Sequence, residues 1–177
     1  MSVQEARTTS YWRFAIPAAL VIVALGSLSG YLSNSGYSNG WFEGLRKPSF
    51  MPPGWVFGVV WTTLYTLMGL AFAFVWLAWP SRLRRNALRL FHAQLLVNLA
   101  WSPIFFGGHM IDIGLVTIVI LFGLVALSAW HFARIEPLAG WLLVPYLAWL
   151  CLATALNFEI GRLNPGADAM NLGLFGG

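Results

Sequence analysis

The chain has 177 residues, 59% of them hydrophobic and 9% charged, with a formal net charge of +4 and a mean hydropathy of +0.72. A soluble domain carries about 25% charged residues to keep its surface wet, so this composition excludes a chain surrounded by water and leaves lipid to cover much of it. The positive balance does not mark a nucleic-acid binder, because the basic residues fall in short breaks between apolar stretches rather than on a basic helix.

An apolar stretch needs about 20 residues to cross ~30 Å of hydrocarbon. The first occupies residues 14–32. Arg7, Arg13 and the small residues between Gly26 and Gly30 would suit a cleavable signal peptide, but the apolar run continues to Tyr31-Leu32, which favours a spanning helix. Ser33-Asn34-Ser35-Gly36 opens a long loop that ends at Pro52-Pro53-Gly54. The second stretch covers 54–80 and stops at Pro80-Ser81-Arg82; the third covers 88–106 and ends at the turn Gly107-Gly108-His109. The fourth covers 111–132, followed by Arg134-Ile135-Glu136-Pro137, and the fifth covers 138–160. Backbone in lipid must bond internally and the runs lack a strand-like polar alternation. The expected fold is therefore an all-α membrane protein, a bundle of five transmembrane helices. Residues 1–12 form an N-terminal segment, 13–162 the transmembrane domain, and 163–177 a polar, then Gly-rich tail that reads as disordered.

The basic residues are unevenly divided. Arg7, Arg13, Arg82, Arg84, Arg85, Arg89 and Arg134 fall on the side of the N-terminus, and Arg46, Lys47 and Arg162 on the other. The chain is expected to be bacterial; if its membrane is an inner one, the positive-inside rule puts the N-terminus in the cytoplasm and the long loop outside.

No Cys cluster, His-x-x-x-His pair, phosphate-cradling Gly loop or nucleophile elbow is present, so no metal site is expected. His92, His109 and His131 lie near helix ends and read as interfacial or turn residues. Asp112 and Glu159 are expected at membrane ends within reach of water. Cys151, the lone cysteine, reads as a small packing residue. What remains is aromatic and amide. Trp61 and Tyr65 are four apart; Gln94, Asn98 and Trp101 follow i, i+4, i+7 with Phe105 a turn on; Trp149, Ala153 and Asn157 repeat every fourth residue. Trp12, Trp76, Trp79 and Trp141 suit an interfacial belt. Trp61, Asn98, Trp101 and Trp149 lie deeper, where an amide or indole N–H needs a partner that lipid tails cannot supply. Their faces should turn inward, with Trp101 and Trp149 facing one another, around a pocket for a flat apolar ligand; helix packing alone would also account for the spacing.

Three segments carry a resemblance. The first runs from Lys47-Pro48-Ser49-Phe50-Met51-Pro52-Pro53-Gly54-Trp55 through Trp61 to Tyr65. The second is Gln94-Leu95-Leu96-Val97-Asn98-Leu99-Ala100-Trp101-Ser102-Pro103, and the third is Pro145-Tyr146-Leu147-Ala148-Trp149 with Ala153-Thr154-Ala155-Leu156-Asn157. Together they resemble the tryptophan-rich sensory protein family, TspO, whose mitochondrial member is the translocator protein or peripheral-type benzodiazepine receptor. The resemblance implies a five-helix, usually homodimeric receptor or sensor for porphyrins such as protoporphyrin IX and haem-type tetrapyrroles. Sterols or other membrane lipids enter as further partners, and porphyrin enters as ligand, with no resident cofactor required. Carried over by position, the ligand-binding residues are Trp41, Phe42, Pro52, Trp61, Tyr65, Asn98, Trp101, Ser102, Trp149 and Ala153. A porphyrin-degrading enzyme using light, oxygen, Trp41 and Trp149 is a competing reading, and a porphyrin or sterol transporter is a third. The family's sterol-recognition segment falls on Leu156, Phe158 and Arg162, but Phe158 lacks the expected phenolic hydroxyl. Where some relatives carry a small-xxx-small pair on the third helix, this chain has Arg89 and Ala93. Gly26-x-x-x-Gly30 and Gly54-x-x-x-Gly58 are alternative close-approach faces.

Overall fold

A computed structural model describes the backbone of residues 3–175 and the side chains from residue 10 onward; residues 1, 2, 176 and 177, and the Arg7 side chain counted above, lie outside the described set. The elements are helices α1 (Val3–Leu32), α2 (Gly40–Gly44), α3 (Gly54–Leu77) and α4 (Arg82–Ser102), a π-helical turn (Pro103–Gly107), then α5 (Ile111–Ala133), α6 (Pro137–Trp141) and α7 (Val144–Leu163). Among the described residues, five stretches are long and apolar enough to cross a membrane: Ser10–Leu32, Gly54–Leu77, Arg82–Gly107, Ile111–Ala133 and Pro137–Leu163. The five expected spans are present. The last joins α6 to α7, and the short helix α2 inside the long loop has no counterpart in the apolar pattern.

Local chemistry sets the helix ends. Asn39 caps α2 by accepting from the Phe42 N–H, and Lys47 Nζ closes its other end by donating to the carbonyls of Phe42, Glu43 and Leu45. Ser81 caps α4 by accepting from the Arg84 N–H. Pro103 cannot donate a backbone bond, and there α4 widens into the π-helical turn.

Helix α1 packs mainly on α3, and α5 packs against α4, α6 and α7. Met68, Val75, Phe91, Leu121, Phe132, Tyr146 and Leu150 are fully buried in the shared core. A Cβ at Gly69 would collide with the backbone of Ala19, so this glycine permits the close α1–α3 approach. Gly26, one of the alternative close-approach residues, is covered by the Tyr65 ring of the same chain. Trp12, Trp76, Trp79 and Trp141 are exposed near span ends. Cys151 is exposed on α7 rather than packed.

The loop before α3, the turn before α5 and the segment after α7 meet at one end of the bundle. Trp41 stacks on His109 with ring centroids 4.5 Å apart, and Arg46 and Asn164 exchange two hydrogen bonds. Composition suggested a disordered tail, but residues 164–175 lie against this end. Asp168 accepts from the Asp112 N–H at 2.7 Å, supplying the cap that α5 lacks locally. The Asp112 carboxylate accepts in turn from the N–H groups of Leu172 and Leu174. Asp112 is thus buried, not open to water as its place in the sequence suggested, because the tail covers it. Phe175 seats its ring on Gly161, where a Cβ would overlap it.

Candidate functional site

The inward faces of α1, α3, α4, α5 and α7 line a cavity of about 540 Å³ that extends to Ser35, Tyr37, Phe42 and Met51 of the long loop. Trp61 and Tyr65 come to its wall from α3, Asn98, Trp101 and Ser102 from α4, and Trp149, Ala153 and Asn157 from α7. The helical repeat explains the grouping, since residues three and four apart share a face. Phe42 lines the mouth from α2.

Two aromatic clusters bound the space. Trp149 meets Trp61 and Phe57 edge-on at 6.5 and 5.6 Å, and Trp61 stacks on Tyr65 at 5.2 Å. Trp101 instead stacks on Phe105 at 5.0 Å, with Phe106 against its edge. Trp101 and Trp149 therefore make no direct ring contact and line the one cavity from α4 and α7.

The polar groups divide into satisfied and unsatisfied. Tyr65 OH donates to Asn98 Oδ1 at 2.9 Å, and Asn98 Nδ2 donates to Tyr146 OH at 2.6 Å. This bridge ties α3, α4 and α7 and occupies both ends of the Asn98 amide. Trp101 Nε1 and Asn157 Oδ1 are buried without protein partners. The Asn157 amide is oriented by its Nδ2, which donates to the Ile111 carbonyl at 2.9 Å, so its oxygen is the free end. Both groups flank Phe105, whose ring reaches Trp101 on one side and the Asn157 neighbourhood at Gly114 on the other. Both atoms are covered by neighbouring side chains, one a donor and one an acceptor, just behind the cavity wall. Asn157 and Tyr146 were not among the ligand residues inferred by position, although Tyr146 stands three residues before Trp149 on the same face.

Other candidates fall elsewhere. Trp41 is outside the cavity lining: it stacks on His109, meets Phe105 edge-on, and donates from Nε1 to the Ala167 carbonyl. His109 holds its place in the left-handed region, at φ 55°. Pro52 also lies outside the lining, and its carbonyl accepts from Tyr37 OH. Of the sterol-segment residues, Leu156 is buried on the cavity wall. Phe158 points outward against Phe175, and Arg162 pairs with Glu159 at 2.8 Å. Two residues apart on a helix face nearly opposite ways, so these three do not share one surface. Gln94 is buried on α4 with both amide atoms unpartnered, outside the cavity lining.

Known proteins share this pattern. The model of the TspO/MBR family matches residues 18–163. The chain is 39% identical over 145 residues to the translocator protein of Homo sapiens, covering 81% of this chain and 86% of that one. It is 41% identical over 133 residues to protein CrtK of Rhodobacter capsulatus, covering 75% and 83%. With the tryptophan-rich sensory protein of Cereibacter sphaeroides it shares 42% over 126 residues, covering 70% and 77%. The matched region contains α3, α4, α5 and α7 whole and α1 from residue 18, and the chain belongs to the TspO/MBR family.

Proposed function

We propose that this integral membrane protein is a receptor or sensor that binds a flat tetrapyrrole of the protoporphyrin class in the cavity between its helices, and so regulates tetrapyrrole or stress responses. The observation that carries the reading is the cavity itself: about 540 Å³, walled by Trp61, Trp101 and Trp149, with the amide residues Asn98 and Asn157 among its lining. Small-molecule sites are typically ~300–1,000 Å³, mostly apolar and aromatic, with a few polar groups that fix orientation. The name of the Cereibacter sphaeroides relative, a sensory protein, supports the sensor role; that of the human relative, a translocator, keeps transport as the second reading. A porphyrin-degrading enzyme that used Trp41 and Trp149 together is less favoured, because Trp149 lines the cavity and Trp41 does not.

Titration of the purified protein with protoporphyrin IX, followed by quenching of tryptophan fluorescence, tests the reading. Trp149→Ala removes ring contact and buried area of about 100 Å², which at ~25 cal/mol per Å² weakens binding roughly tenfold to a hundredfold. Ala153→Leu fills the cavity without touching a polar group and should block binding. Trp76→Ala, on the exposed surface of α3, should leave affinity unchanged. Equal losses in Trp76→Ala and Trp149→Ala would place the ligand elsewhere.

A further inference from the structure

The outward face of α4 carries a stripe of three arginines continued by a histidine and a leucine. Arg82, Arg85, Arg89, His92 and Leu96 follow i, i+3, i+7, i+10, i+14, and all five are exposed. The opposite face buries Ala87, Phe91, Gln94 and Asn98. Arg84 is not part of the stripe: its guanidinium donates to the carbonyls of Val75 and Trp76 at the end of α3. Among the described residues, no carboxylate lies within ion-pair distance of Arg82, Arg85 or Arg89; the ion pair present is Arg162–Glu159 at the other end of the bundle.

This arrangement is electrostatically unfavourable in isolation. Like charges three and four apart on a helix repel, and the first turn of α4 contains no acid to complement its positive end. Arg89 lies about 10 Å along the helix axis from Arg82, at the start of the apolar run. There its guanidinium must extend back toward the polar layer. Trp76 and Trp79 are exposed beside the same end, at the depth expected of interfacial aromatics. Below the arginines the stripe turns apolar at Leu96, which is 68% exposed.

We infer that this face binds the phosphodiester headgroup of an anionic phospholipid, with the phosphate between Arg85 and Arg89 and an acyl chain along Leu96. Side chains at i and i+4 stand about 5–6 Å apart at Cβ, a spacing from which two guanidiniums can donate to one phosphate. The shared phosphate offsets the repulsion along the stripe. The apolar continuation at Leu96 selects a lipid over a free anion.

Native mass spectrometry of the full chain, released from micelles containing equal amounts of phosphatidylglycerol and phosphatidylcholine, tests this. The protein should retain phosphatidylglycerol preferentially. Arg85→Gln and Arg89→Gln should each lower that retention about fivefold, the effect of one basic residue near a lipid surface. Arg46→Gln, at the opposite end, should leave it unchanged. All three side chains are exposed, so thermal unfolding of the variants should match the parent. An unchanged lipid preference in the Arg85→Gln/Arg89→Gln double variant overturns the inference. Displacement of the lipid by inorganic phosphate assigns the site to a free anion and overturns it too. So does disulfide cross-linking between copies through Arg89→Cys in a Cys151→Ser background, which would show a second chain covering this face.

Discussion

Trp101 and Asn157 carry chemistry that their spacing could not reveal. Both lie among aromatic side chains, yet the Trp101 N–H and the Asn157 carbonyl oxygen have no protein partner. A buried polar group without a partner costs about 1–3 kcal/mol, so a ligand that draws either side chain to the cavity surface gains a bond that the free protein lacks. Trp101→Phe keeps an aromatic ring against Phe105 while deleting the donor. It should leave unfolding of the free protein unchanged or slightly improved, and weaken protoporphyrin binding roughly two- to tenfold, the worth of one net hydrogen bond. Paired thermal unfolding and fluorescence titration measure both effects; unaltered affinity would mean that the indole N–H makes no ligand contact. Asn98 stands in contrast. Its amide accepts from Tyr65 and donates to Tyr146, so this residue of the cavity lining also ties three helices.

At the scale of elements, the junction of α5 with the segment after α7 is the least expected contact. The start of α5 has no side-chain cap of its own; Asp168 supplies one, and Asp112 answers by accepting from backbone N–H groups of Leu172 and Leu174. The same segment accepts from Trp41 through the Ala167 carbonyl, and so reaches the cover of the cavity. Asp112→Ala removes charge-assisted bonds that are worth about 1.5–3 kcal/mol at most, together with a carboxylate suited to a helix N-terminus. Hydrogen exchange at residues 168–174 should accelerate in this variant while exchange in α3 and α4 stays slow. An unchanged rate in the tail would show that Asp112 does not hold it.

For the whole molecule, an odd number of spans sends the chain termini to opposite faces, and the long loop shares its face with the tail. Cysteines placed singly at Ser38 and Ser81, with Cys151 removed, should be labelled by an impermeant reagent from opposite sides of the membrane. Labelling of both from one side would contradict five spans. The five spans were legible in the sequence because hydrocarbon demands about 20 apolar residues per crossing and tolerates no unpaired backbone. The faces of α3, α4 and α7 were legible because a helix returns every 3.6 residues, which brings Trp61, Tyr65, Asn98, Trp101, Trp149 and Ala153 to one cavity. Periodicity says nothing about irregular chain. Only tertiary structure put Trp41 on His109 and outside the cavity, and buried Asp112 beneath residues 168–174. Those outcomes depend on where distant segments meet, and partners that lie tens of residues apart in the chain leave no local pattern to read.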